Sequence, residues 1–306
     1  MVVIDATRRV AVSTPRPYRA TLVAGGRRTA MTASALHTLR RVTGSLFLVG
    51  SVAFAVAATV LSSTFNWPDI LREPAAVVLP QFAAGGPGLV WTWFATAWTY
   101  AILTVPILLL PAALRRRDDA ALRVATWVGA TSVVLSLIGF LRWVFVVPAL
   151  AQSYVTGNAT TQAAADAAWT AQHQFGGALL GEHLGQLMAI GWSATVSVVI
   201  LRTRALPRWL GLAGLIVSAL YLLNQGDILA TAVAGFPVWD LAGLLGSTTW
   251  GLWVAALGVT LLLRRADRSA APEQNRASTM VDGARAETRT PTATVLAGGD
   301  RRETTR

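Results

Sequence analysis

Long apolar runs, almost free of charge, recur along the chain at 43–63, 89–114, 121–150, 176–201, 209–229 and 238–263. Each reaches the roughly 20 residues that carry a helix across about 30 Å of hydrocarbon. None alternates polar with apolar residues as the strands of a membrane barrel must, and a barrel is the other structure that satisfies every backbone group in lipid. The pattern predicts an all-α, polytopic six-helix transmembrane bundle over 43–263. Between the first two runs, Pro68, Pro74, Pro80 and Pro87 interrupt residues 64–88, where short interfacial turns are predicted at most. Residues 151–175 contain TTQAAADAAWTAQHQ, read as an alanine-rich helix on the membrane surface with Trp169 as an anchor.

Residues 1–42 and 264–306 are polar and have no apolar run long enough to pack, so both are predicted to be disordered basic tails. Met31 opens a plausible shorter start. A cleaved signal peptide is the competing reading of the first run, because Arg40 and Arg41 precede an apolar stretch ending near Ala55-Val56-Ala57. The run continues to Leu61, longer than a usual signal-peptide core, which favours a retained helix.

Composition agrees: 54% of residues are hydrophobic, 13% are charged and the mean hydropathy is +0.51, whereas an ordinary soluble domain has about 25% charged residues. All 26 basic residues are arginine. Eight precede the first run, four lie between the second and third, three between the fourth and fifth, and nine follow the last. Those groups share one side; Arg72 falls on the other and Arg142 within a run. The positive-inside rule then places both termini in the cytoplasm of a bacterial cytoplasmic membrane. The net charge of +11 reflects that topology and implies attraction to anionic phospholipid headgroups at the cytoplasmic face. Nucleic acid is not an expected partner, since the arginines are scattered over tails and short loops without a recognisable module. The absence of cysteine excludes disulfides, thiolate nucleophiles and thiolate metal sites.

The chemistry concentrates in GGALLGEHLGQL, residues 176–187. Glu182, Gln186, Ser193 and Ser197 fall within about 60° of one another on an ideal helix and form one polar stripe. Gly177, Gly181 and Gly185 form a small-xxx-small ladder beside it, predicting close approach of a neighbouring helix. Arg142, near the end of the third run, and Glu182, near the start of the fourth, both lie about 9 Å below the same surface at 1.5 Å per residue. An Arg142–Glu182 ion pair is therefore predicted between adjacent antiparallel helices. His183, Asn224, Gln225, Asp227 and Asp240 stand at similar depth or nearer the surface, and together these groups are candidates to line a cavity open to the outer side.

Neither a metal nor a cofactor is expected. Glu182 and His183 point about 100° apart on a helix, no H-E-x-x-H occurs, and no second membrane histidine completes a ligand set. Ser247 lacks a G-x-S-x-G setting, and Asp227 and Asp240 sit at helix ends, so intramembrane proteolysis finds no support. Among the tryptophans, Trp67, Trp91, Trp93, Trp169 and Trp239 are read as interfacial anchors at one face and Trp127 and Trp209 at the other. Trp98, Trp192, Trp250 and Trp253 are read as core filling.

RRVTGSLFLVGSVAFAVAA, GGALLGEHLGQLMAIGW and LRTRALPRWLGLAGLIVSALYLL resemble the bacterial membrane family catalogued as domain of unknown function 4386. The resemblance covers roughly residues 38–265 and implies a multi-pass membrane protein with no assigned activity. It brings no catalytic residues. Two functions remain open: a small-ligand or ion binding or transport module with an outward-facing polar pocket, or a structural or regulatory membrane protein whose polar groups lock helices and whose tails meet lipid or a protein partner. The chain displays no nucleophile or metal set that would make it an enzyme.

Overall fold

The computed structural model describes residues 32–264. They form α1 (Ala33–Phe65), a 3-10 helix (Asp69–Arg72), α2 (Ala75–Ala101), α3 (Thr104–Ala113), α4 (Ala120–Phe145), α5 (Val147–Thr156) and α6 (Ala159–Gln172). A π-helix (His173–Leu184) follows, then α7 (Gly185–Thr203), α8 (Arg208–Leu223), α9 (Gln225–Ala230) and α10 (Ala242–Leu263). No strand occurs among the described residues. Six helical stretches are long and apolar enough to cross a membrane: Ala33–Phe65, Ala75–Ala113, Ala120–Thr156, Ala159–Thr203, Arg208–Ala230 and Ala242–Leu263.

Each stretch packs on its successor and α10 closes against α1, giving a ring in chain order. The outward face is apolar: Val49, Val56, Val124, Trp127, Val134, Leu212, Ile216 and Leu252 are all exposed. A water-soluble monomer does not present such a girdle, whereas a bilayer requires it. Short connections rich in arginine (Arg115–Arg117, Arg202–Arg208) mark one end of the bundle. Longer connections mark the other, here called the loop-rich end.

Two apolar cores follow from this layout. The larger runs through the ring and joins Phe47, Leu103, Ile107, Trp192, Trp253 and Leu257. The smaller lies at the loop-rich end and is aromatic, with Phe65, Phe82, Trp93, Trp143 and Trp169 in contact and Trp93 stacked on Trp143 at 4.7 Å. Trp93 and Trp169, expected as interfacial anchors, are thus buried core residues, and Trp98, expected in the core, is exposed. The reason is that α5 and α6 fold back onto α2, forming a protein-filled layer where the sequence alone suggests a headgroup region.

Three boundaries differ from expectation. Helix α1 starts at Ala33, inside the predicted tail, because Arg40 is buried and its Nε donates to the Ala113 carbonyl at 3.1 Å. The remainder of the predicted N-terminal tail, Met31, and residues 265–306 lie outside the described residues. Within the predicted loop 64–88, α2 already begins at Ala75, after Pro74 as N-cap. Gly86 takes φ +57° and breaks the helix, and Pro87 restarts it where a missing N–H costs nothing. The alanine-rich segment forms α6, started by Asn158, whose Oδ1 accepts from Thr161 N at 3.0 Å. It runs without interruption through the π-helix into α7.

Candidate functional site

Polar side chains from three separate segments meet at the loop-rich end. The 3-10 helix after α1 brings Arg72, the π-helix brings Glu182 and His183, and α9 brings Gln225 and Asp227. Arg72 Nη2 donates to Glu182 Oε2 and to Asp227 Oδ2, each at 2.7 Å, and its Nε donates to the same Asp227 oxygen at 3.0 Å. The side chains are 28% (Arg72), 15% (Glu182) and 35% (Asp227) exposed. Burial alone would lower the pKa of Arg72, but Glu182 and Asp227 more than reverse that and hold it above the ordinary arginine value. The cluster therefore contains a permanent cation.

Behind the cluster a chain of amides leads inward. His183 Nδ1 lies 2.7 Å from Gln225 Oε1, Gln225 Nε2 donates to Gln186 Oε1 at 3.1 Å, and Asn224 Nδ2 donates to the same oxygen at 2.8 Å. Because an amide oxygen can only accept, Nδ1 is the donor of the bond to Gln225 Oε1. Further in, Ser193 accepts a 2.7 Å hydrogen bond from Trp250 Nε1, so the polar stripe of the fourth run does face the bundle interior. Glu182 Oε1 is buried and has no hydrogen-bond partner. Asp240 is exposed and stands apart from these bonds.

The expected Arg142–Glu182 ion pair is not present. Arg142, only 6% exposed, donates through Nη1 to the carbonyls of Gln172 and His173, at 3.3 and 3.2 Å. Those carbonyls mark the junction where α6 passes into the π-helix. There the backbone ladder changes from i→i+4 to i→i+5 bonding, which leaves carbonyl capacity for a side-chain donor. The guanidinium also lies 5.2 Å from the Trp143 ring centroid and 5.9 Å from that of Trp169, within cation–π range. Matching depths placed the two Cα atoms but left the direction of each side chain open; the π-helix turns Glu182 toward α9 and the Arg72 segment.

The three ladder glycines face α4. A Cβ on Gly177 would overlap the Arg142 guanidinium, one on Gly181 would stand 2.8 Å from the Gly139 Cα, and one on Gly185 2.9 Å from Ser136 Oγ. Ser132 Oγ donates to the Gly185 carbonyl at 2.8 Å across the same seam. The ladder brings α4 close enough to insert Arg142 beneath the π-helix.

The profile of a domain of unknown function, DUF4386, matches residues 42–258. The chain belongs to the DUF4386 family. The matched part of this DUF4386 chain contains every residue of the cluster, the amide chain and the glycine seam. No curated protein and no solved structure matches it. Among the described residues, no three His, Asp or Glu side chains come together as a metal site. The residue that sequence reasoning missed is Arg72. Its signal was its isolation as the one arginine placed on the side opposite the others, a position the positive-inside rule disfavours unless a local partner repays it.

Proposed function

We propose that this DUF4386 protein is a small-ligand or ion binding or transport module of the bacterial cytoplasmic membrane, with both termini cytoplasmic and its polar site opening at the loop-rich, outer face. The distribution of arginines supports the orientation. One observation carries the functional reading: a partly exposed ion-pair cluster, Arg72 with Glu182 and Asp227, lies over a polar chain that continues inward through His183, Gln225, Gln186 and Asn224. Ionisable groups at membrane depth usually mark a pathway for ions or polar ligands. In this reading Arg72 is a tethered cation that occupies the carboxylates until a ligand, ion or proton displaces it. The second reading is a structural lock, favoured by the way the inner amides satisfy one another.

Thiol accessibility separates the two, and the absence of native cysteine makes every introduced thiol unique. Asp227→Cys, His183→Cys and Gln186→Cys would be treated, in intact cells, with a membrane-impermeant maleimide. Hydration of the chain predicts labelling in that order of rate, each at least about tenfold faster than Val134→Cys on the lipid-facing surface. Labelling of Asp227→Cys alone, with the other two as inert as Val134→Cys, would leave the structural lock.

A further inference from the structure

Arg142 carries an unusual electrostatic burden. Its exposure is 6%, and among the described residues it forms no ion pair and its buried Nε has no hydrogen-bond partner. A buried cation normally has a counter-ion and a full set of acceptors, because desolvation costs several kcal/mol per ion. The two carbonyls engage Nη1 only. Glu182 acts on Arg142 only as a charge beyond hydrogen-bond reach, because its Oε2 is held by Arg72.

The same arginine lines a groove of about 480 Å³ between α4 and the π-helix, whose other walls include Val134, Leu137, Ile138, Phe145 and Phe175. Val134, Ile138, Phe145 and Phe175 are exposed on the outward surface of the bundle, so the groove opens toward lipid. Its size falls within the ~300–1,000 Å³ that holds one small ligand. An apolar trough ending at a cation complements a molecule with one long apolar body and one anionic end.

We propose that this groove binds a single-chain carboxylate amphiphile from the bilayer, a free fatty acid, with its chain along α4 and its carboxylate on Arg142. A carboxylate is a compact anion that accepts from the guanidinium N–H groups the two carbonyls leave open. A single chain also suits the one trough, whereas a phospholipid must bring a glycerol and a second chain to the same buried cation. The Trp143 and Trp169 rings and the backbone over Gly177 hold the guanidinium in place for the ligand. This inference does not rest on the reading of the Arg72 cluster.

The test is oleate binding to the purified full-length protein in mild detergent, measured by native mass spectrometry, with oleyl alcohol as the uncharged probe of equal chain length. Ile138→Trp fills the groove and keeps the cation, Val49→Trp places a tryptophan on the lipid-facing side of α1 as the control, and Arg142→Gln removes the cation. The wild-type and Val49→Trp proteins are expected to bind oleate at least tenfold more tightly than oleyl alcohol, and Ile138→Trp and Arg142→Gln to lose that preference. If Arg142→Gln does not fold, Ile138→Trp against Val49→Trp decides alone. Equal binding of oleate and oleyl alcohol, equal oleate binding by the two tryptophan variants, or no oleate binding to the wild type overturns the proposal. So does displacement of oleate by an equal concentration of phosphatidylglycerol, which would make the occupant a phospholipid.

Discussion

Gly181→Ala is expected to destabilise the protein by about 3 kcal/mol, the upper end of the usual overpacking range. The added Cβ would lie 2.8 Å from the Gly139 Cα, and a Cβ on Gly139 would lie 2.9 Å from the Gly181 Cα. Both obstacles are backbone, so no rotamer change relieves the clash and the two helices must separate. Separation weakens the Ser132–Gly185 bond one turn away and lifts the π-helix from the Arg142 guanidinium packed over Gly177. Gly251→Ala in α10 is the control, because a Cβ there meets nothing within 4 Å. That variant is expected to be neutral or to gain up to about 1 kcal/mol from alanine's better helix propensity. Thermal unfolding in detergent measures both, and equal stability of the two variants would show that the seam is loose.

The second large effect is expected at Arg72. Arg72→Gln leaves Glu182 and Asp227 as neighbouring carboxylates with their shared cation removed. An exposed pair is worth about 0–1 kcal/mol, and removal of one partner of a buried pair costs about 3–5 kcal/mol. At 28% exposure for Arg72, 15% for Glu182 and 35% for Asp227, the cluster falls between those limits. A loss of about 2 kcal/mol is expected at neutral pH, discounted for the solvent reaching Asp227. Asp227→Asn should cost less than Arg72→Gln, since Glu182 retains the guanidinium. If Arg72→Gln is as stable as the wild type, the cluster is an exposed contact with no hold on the bundle.

How far the sequence reveals this molecule varies with the kind of information each feature needs. The six spans and the all-helical class are legible because hydrophobic length is a one-dimensional property. The seam of Gly177, Gly181 and Gly185 is legible for a similar reason: spacing of small residues on one helix needs no knowledge of its partner. The ion pair is not legible from depth because it depends on azimuth. Residue depth placed Arg142 and Glu182 at one level, but the twelve-residue π-helix, His173–Leu184, rotates the intervening side chains relative to an ideal α-helix. No local composition in HQFGGALLGEHL signals that change of ladder. Arg72 gives no site signal in its local sequence because proline-rich residues 64–88 read as loop, whereas the structure fixes it in a 3-10 helix against Glu182 and Asp227. The placement of Trp93 and Trp169 fails for a tertiary reason: α5 and α6 fold onto α2 and turn an interface into an aromatic core.

Glu182 joins the Arg72 segment to the π-helix, while Arg142 serves the π-helix junction. Two double-mutant cycles of unfolding free energy, measured side by side, address this directly: Arg72→Gln with Glu182→Gln, and Arg142→Gln with Glu182→Gln. The Arg72–Glu182 contact predicts a coupling of about 1–3 kcal/mol in the first cycle and a clearly smaller one in the second, where the two groups act on each other only as separated charges. A large coupling between Arg142 and Glu182, with near additivity between Arg72 and Glu182, would contradict it and restore the ion pair expected from depth alone.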